Sequence, residues 1–353
     1  MKSVVKKSAL VALLGLSGAV AAHAEGFYFY ALLDGGIAST TISGAGAKGT
    51  PNGTTSEFIT GGFAPNFMGL SAEKKMEGGI TGGFKLENGF LLNPTNGQTF
   101  AFGSNNLFNR QANVYVKSDA GTFTLGTQGN LAFDSVLMAD PRSGSNYGSA
   151  LASVDIDGAL ATIATGAIKY TAPSVSGLTF AAEFIPQNNT SGATKTQKAE
   201  NAVSVVYAAG PLKATVAGYN GQTGFSGSIL GANYKLGDFT LKGIAVAQKT
   251  PTYKQLNTTG VGGLYAMSPK VSFDAGVYNT KDSATNYNMN TAAAGVYYNF
   301  VKDLTLYGQY ANVKNSGTPS AAFNFTWASV APDFISAGAT GSTVNVGLLY
   351  AFF

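Results

Sequence analysis

The chain has 353 residues, with 22 lysines and arginines against 18 acids, no cysteine and a single histidine, His23. Without cysteine there is no thiol nucleophile and no Cys-bound zinc site, and so small an excess of positive charge provides no concentrated basic face for nucleic acid. Charged residues make up only 11% of the chain, less than half the roughly 25% of a soluble domain, so few side chains are suited to covering a water-facing surface.

The first element in chain order is an export signal. Lys2, Lys6 and Lys7 form a positive head, Ala9 to Ala22 an apolar run, and Ala22-His23-Ala24 a small-residue cleavage site. Residues 1–24 are therefore expected to be removed, leaving residues 25–353 as one domain. Three of the 22 basic residues leave with the signal, so 19 face 18 acids, and the only histidine goes too. With it goes any imidazole base, and no recognisable motif remains for a cofactor, a metal or an enzyme. No later segment reaches about 18 unbroken apolar residues, so no helical anchor is expected.

From Gly26 onward one unit repeats: an alternating run, a tight turn, another alternating run, then a polar stretch. Strands are expected near residues 26–38, 67–75, 80–90, 108–118, 122–129, 166–172, 177–185 and 201–209. The second half adds residues 212–220, 228–235, 238–248, 258–266, 270–280, 290–300, 304–313 and 342–353, for sixteen in all. Short turns carrying Gly, Pro, Ser or Asp alternate with longer Gly/Asn/Thr/Ser-rich segments such as residues 39–66, 91–107, 130–165 and 314–341.

This parity is the mark of an up-and-down membrane barrel, whose turns are tight on the periplasmic side while its extracellular loops are free to grow. Strand faces agree with it. Leu212, Ala214, Val216 and Gly218 fall on one face and Lys213, Thr215 and Tyr219 on the other, while Leu304, Leu306 and Tyr310 oppose Thr305, Tyr307 and Gln309. Aromatic runs at strand ends, Phe27 to Tyr30 and Tyr297 to Phe300, suit the headgroup girdles. An open edge in hydrocarbon would leave backbone groups unpaired at several kcal/mol each, so the first and last strands must meet. The expected fold is an all-β, 16-stranded antiparallel transmembrane β-barrel, wide enough that side chains alone do not fill it.

Several segments carry a family resemblance. They are Tyr30-Ala31-Leu32-Leu33-Asp34-Gly35-Gly36-Ile37; Leu107 to Ala112 followed by Gly121-Thr122-Phe123-Thr124-Leu125-Gly126; and Ile168 to Pro173 followed by Ser176 to Phe180. With the terminal Val346 to Phe352 they resemble the general porin family of β-proteobacteria and neisseriae over nearly the whole mature chain. The resemblance implies a passive, water-filled channel for ions and small hydrophilic solutes, without cofactor, in the outer membrane. It further implies a homotrimer, contact with outer-membrane lipid and lipopolysaccharide, and a terminal strand, ending at Phe352 or Phe353, read by the barrel-assembly machinery.

The family folds its third loop into the barrel, and the corresponding residues 130–165 hold Asp134, Asp140, Asp155 and Asp157 against Arg142. Resemblance points to Arg110 and Lys169 as wall cations opposite that loop, and alternation sets Lys85 beside Thr81 and Glu87 on a wet face. Alternation also puts Arg110 in phase with Val114 and Val116, so an inward direction needs a bulge or a strand end. Where the family often carries Arg at the start of its second strand, this chain reads Asn66-Phe67-Met68-Gly69-Leu70, which implies a weaker anion preference. Two alternatives are a solute-specific channel built on the third loop, and a barrel serving mainly as an adhesin or phage receptor.

Overall fold

The computed structural model describes residues 26–44, 52–95, 98–100, 106–154, 162–186, 199–221, 224–251, 253–284, 286–316, 323–324, 334–335 and 338–353. The expected export signal, Asp155 and Asp157 lie outside the described residues.

In chain order the strands begin with β1 (Gly26–Ser43), β2 (Gly53–Thr60), β3 (Phe67–Lys75), β4 (Thr81–Thr95), β5 (Gln98–Phe100), β6 (Gln111–Ser118) and β7 (Gly121–Gly129). A helix, α1 (Leu131–Ala139), and a helical turn at Leu151–Val154 precede β8 (Ile163–Thr171), β9 (Leu178–Ile185), β10 (Glu200–Ala209) and β11 (Leu212–Asn220). Then come β12 (Ser226–Leu236), β13 (Phe239–Lys249), β14 (Leu256–Tyr265), β15 (Val271–Asp282), β16 (Tyr287–Val301) and β17 (Leu304–Ser316). The two-residue pair β18 (Phe323–Asn324) and β19 (Phe334–Ile335) precedes β20 (Thr340–Phe352).

Sixteen of these form the wall, each antiparallel to its neighbours, and β2, β5, β18 and β19 belong to the connections. The ring closes where β1 meets β20 through thirteen facing pairs, from Ala31 against Phe352 to Ser43 against Thr340. Closure gives every strand a partner on both sides, which hydrocarbon demands. All sixteen predicted strands correspond to wall strands.

Burial alternates along them as the pleat requires. On β20, Thr343, Asn345, Gly347, Leu349 and Ala351 are buried inside while Val344, Val346, Leu348, Tyr350 and Phe352 are exposed outside. On β17, Thr305, Tyr307 and Gln309 turn inward, and Leu306 and Tyr310 outward. The turn between β3 and β4 is a single 3-10 turn, Glu77–Gly79, in which Gly78 (φ 72°) and Gly79 (φ 74°) take the left-handed conformation that a side chain disfavours.

Two features depart from the expected layout. The predicted first loop, residues 39–66, contains β2, which pairs with the outer half of β1 from Gly35 against Thr60 to Ile42 against Gly53. With β2 on one side and β20 on the other, β1 stays paired as far as Ser43 rather than ending near residue 38. The connections between β11 and β12, β13 and β14, and β15 and β16 span only residues 221–225, 250–255 and 283–286, shorter than the expected polar stretches. The polar outer ends of β12 to β16, such as Ser226, Lys249, Lys281 and Asn288, remain in the ladder, so these strands outrun their alternating cores.

Candidate functional site

The third loop, between β7 and β8, folds against the inner wall. Asn130 caps α1, its Oδ1 accepting from the Ala132 N–H (2.9 Å) and the Phe133 N–H (3.4 Å), as a cap residue with an extended backbone does. Leu131, Phe133, Val136 and Ala139 then pack with Leu151 and Val154 against Ala217, Tyr219, Ile229, Ile244, Val246 and Tyr278 of the wall. The helix comes so close that a Cβ built on Gly231 of β12 would stand 2.0 Å from the Ala139 Cβ. Only glycine leaves room for that approach.

Beyond α1 the loop is fastened by two fully buried charges. The Asp140 carboxylate accepts from the Gly144 N–H (2.7 Å) and the Ala150 N–H (2.9 Å), closing the loop on itself. Burial pushes the Asp140 carboxyl up from its ordinary value, against the pull of those donors and of Lys242. Lys242 of β13 donates to the Asp140 carbonyl (3.2 Å) and to the Ser143 hydroxyl (2.5 Å). Arg142 reaches β15 and β17, with Nε on Asp274 Oδ1 at 3.0 Å, Nη2 on Gln309 Oε1 at 2.8 Å, and Nη1 on the Tyr147 carbonyl. Burial works against the guanidinium charge, but Asp274 together with the Tyr297 and Tyr278 hydroxyls more than offsets it and holds the pKa above its ordinary value.

A second segment enters the barrel from the first loop. Asp34 of β1, fully buried, accepts through Oδ2 from the Phe63 and Ala64 N–H groups (2.7 and 2.8 Å) and through Oδ1 from the Tyr307 hydroxyl (2.6 Å). That draws residues 61–66 inward, where Phe63 packs on Tyr297 and Tyr307. The third loop rests on this segment: the Asn146 N–H donates to the Phe63 carbonyl (2.9 Å), and its Nδ2 to the Gly61 carbonyl (2.5 Å). The interior beside β10 to β17, β20 and β1 is thus occupied by packed side chains.

The remaining arc, β3 to β9, carries ionisable side chains, of which Lys85, Arg110, Lys117, Lys169, Glu73 and Asp134 keep partial access to water while Glu87 and Glu183 are buried behind them. Lys85 of β4 faces Ser71 and Asn113, both buried inside, which fixes its inward direction. It lies within electrostatic range of Glu73, Glu87, Lys117 and Lys169. Arg110 also points inward: β6 begins only at Gln111, Phe108 sits at φ 58°, and the break in alternation brings Arg110 Nε to Glu87 Oε1 at 2.5 Å. Its guanidinium lies 4.7 Å from the centre of the Phe67 ring. Lys169 Nζ donates to the Gly129 carbonyl (2.8 Å) and stands 3.9 Å from both Asp134 Oδ2 and Glu183 Oε2.

The expected site residues therefore divide. Lys85, Arg110, Lys169 and Asp134 converge on one arc, whereas Asp140 and Arg142 are sealed into the loop's attachment and turn no charge toward water. The physical reason is that each finds a full set of partners, and Arg142 bonds to a carboxylate of the wall the loop rests on. Sequence reading passed over Lys117, in phase with inward Tyr115 and Asn113 and paired with Glu73, and over Glu183. Period-two alternation from those neighbours would have found both. Asp274 and Lys242 also sit on inward phases, but nothing local marks them as holding a loop.

A family model described as Gram-negative porin matches residues 9–318. No curated protein sequence matches the chain. Among solved structures, the anion-selective porin from Comamonas acidovorans superposes with a TM-score of 0.78 at 19% identity, covering 93% of this chain and 100% of that one. Outer-membrane expressed OmpT of Vibrio cholerae gives 0.66 at 14% identity over 94% and 99%. The in-vitro folded trimer form of OmpT gives 0.63 at 14% over 94% and 100%. At these identities the likeness is one of fold.

Proposed function

The chain belongs to the Gram-negative porin family and is an outer-membrane diffusion channel, and on that premise we propose that solutes pass along the β3 to β9 arc under nearly balanced charge. Family and fold are those of a channel rather than an enzyme. The observation that carries the reading is the set of paired charges on that arc: Lys85, Arg110, Lys117 and Lys169 against Glu73, Glu87, Asp134 and Glu183. Each cation has an acid close by, so positive and negative potentials largely cancel over a Debye length of about 8 Å at physiological salt. A strongly one-signed constriction would sort ions by charge; this one passes both signs with weak preference. Asp140 and Arg142 hold the third loop that forms the other side of the passage, and Asp155 and Asp157 belong to the same loop.

Three further parts of the reading rest on the family. Residues 1–24 are the cleaved export signal. The working form is a homotrimer, as in the trimer form of the OmpT structural neighbour, with each subunit its own channel. Outer-membrane lipid, lipopolysaccharide and the barrel-assembly machinery, acting on the Phe352 end, are its partners.

Planar-bilayer recording with purified protein tests the central claim. Stable conductance steps are expected, with a reversal potential near zero across a tenfold salt gradient. Lys85→Gln, Arg110→Gln and Lys169→Gln, made singly, are each expected to move that potential toward cation preference by exposing an unpaired acid. A strongly anion- or cation-selective wild type, or three silent substitutions, would refute the balanced arc.

A further inference from the structure

By its phase along β6, residue 110 belongs on the outer surface. Asn113 and Tyr115 are buried inside the barrel, while Val114 and Val116 are exposed outside, so β6 prolonged by regular alternation would carry position 110 to the lipid. The Arg110 guanidinium lies instead inside, on Glu87. The reversal comes from a β-bulge. Glu87 faces Gln111 in the ladder, and its carbonyl also accepts from the Arg110 N–H (3.1 Å), so two residues of one strand stand against one of the other.

Past the bulge the main chain leaves the ladder, and two carboxamides take over its bonds to β4. Asn109 Oδ1 accepts from the Gly89 N–H (2.7 Å), and Asn109 Nδ2 donates to the Gly89 carbonyl (3.2 Å). Those are the two bonds that a residue of a facing strand would exchange. Asn88 Oδ1 accepts from the Phe108 N–H (2.8 Å), and Asn88 Nδ2 donates to the same Gly89 carbonyl (3.2 Å). Asn88 is buried, so water does not compete for its bond. With its N–H held in this way, Phe108 sits at φ 58°, a left-handed conformation that a bulky residue keeps only where its surroundings over-determine it.

We propose that Asn88 and Asn109 are positioning residues for the passage: their amides hold the bulge that turns Arg110 from the lipid face to the solutes. The inference rests on the reading of the β3 to β9 arc as the solute path, and it names two uncharged residues that set the charge there. Without the amides the Gly89 N–H and carbonyl need other partners, because buried backbone groups are almost never left unpaired. The nearest source is the main chain of residues 108–110, drawn into the ladder. That straightens β6, releases Phe108 from its left-handed conformation and returns position 110 to the outer phase of Val114 and Val116. Glu87 then loses the guanidinium, and the passage loses one positive charge although no ionisable residue has been altered.

The chain has no cysteine, so Arg110→Cys places a single thiol at the position in question. In planar-bilayer recording, an anionic, membrane-impermeant methanethiosulfonate is expected to cut the conductance of R110C, because that thiol faces the passage. In R110C/N88A/N109A the block is expected to be lost, and in R110C/N109A, which keeps the Asn88 bond, to slow. Thr124→Cys, on the inward phase of β7 opposite Tyr115, is the reference, expected to be blocked equally with and without the two alanines. Equal block of R110C in all three backgrounds would overturn the proposal. So would loss of the block in T124C as well, since the amides would then hold the whole wall rather than one side chain. Where the triple variant yields no barrel, the comparison of R110C with R110C/N109A decides alone. The reversal potential separates this claim from the balanced arc: N88A/N109A is expected to shift it toward cation preference in wild type and to add nothing in R110Q. An equal further shift in R110Q would show that the amides act by another route and sink the proposal. A silent R110Q would refute the arc and leave the thiol result to decide the positioning.

Discussion

Arg142 and Asp274 are 132 positions apart in the chain and 3.0 Å apart in the fold, with the guanidinium fully buried and the carboxylate nearly so. Desolvating both charges is expensive, and the pair is tolerable because Gln309, Tyr297 and the Tyr147 carbonyl satisfy what remains of the guanidinium. Removing one partner leaves the other buried and unpaired, at about 3–5 kcal/mol. Arg142→Leu is therefore expected to unfasten the third loop, raising open-channel noise and lowering thermal stability of the barrel. The R142L/D274L double variant, with no orphaned charge, is expected to recover most of the stability but not the quiet channel. If both variants conduct as quietly as wild type, Arg142 does not hold the loop. Sequence reading placed Arg142 among the charges facing water, because the carboxylate that captures it lies on a wall strand far along the chain.

At the scale of elements, α1 shows how a glycine in a wall strand sets the shape of a passage. The helix has a capping residue and an apolar surface that its own sequence announces, but the wall it covers is decided by Gly231 and the small inward residues Ala202 and Ala217. Overpacking such a contact costs about 1–3 kcal/mol and is relieved by moving the less constrained partner. Gly231→Val is expected to push α1 away from β12 toward the β3 to β9 arc and so to lower single-channel conductance while the barrel still forms. Unchanged conductance in a folded Gly231→Val variant would show that the helix does not border the passage. Strand extent was the other element-level surprise. Alternation marked the lipid-facing cores of β1 and of β12 to β16, whereas pairing continues past those cores into polar residues.

At the scale of the whole molecule, closure is the governing fact. The thirteen pairs between β1 and β20, with the contact of β17 on the other side of β20, join the two ends of the chain's sheet. Deleting residues 340–353 would expose two edges to hydrocarbon, where each unpaired backbone group costs several kcal/mol. Such a chain is expected to lose heat-modifiable migration on gels, because no closed barrel would resist detergent before boiling. A truncated chain that still migrated as a compact band would mean that the ring can close without β20. Closure also concentrates the interior: two inward segments and the wall fill one side, and water is left the other.

What the sequence determined by itself was the alternation, and through it the sixteen wall strands and their inward and outward faces, and a composition without cysteine. These are properties of local period and composition, which a chain carries whether or not it is folded. Lys85 was legible on the same ground, whereas Lys169 was legible through the family resemblance. The tertiary structure decided what local period cannot encode: that β2 rides on β1, that a break before Gln111 turns Arg110 inward onto Glu87, and that Arg142 is spent on Asp274. Each of those depends on which strand stands opposite another after the ring closes, and register across a sheet is fixed by contacts between residues far apart in the chain.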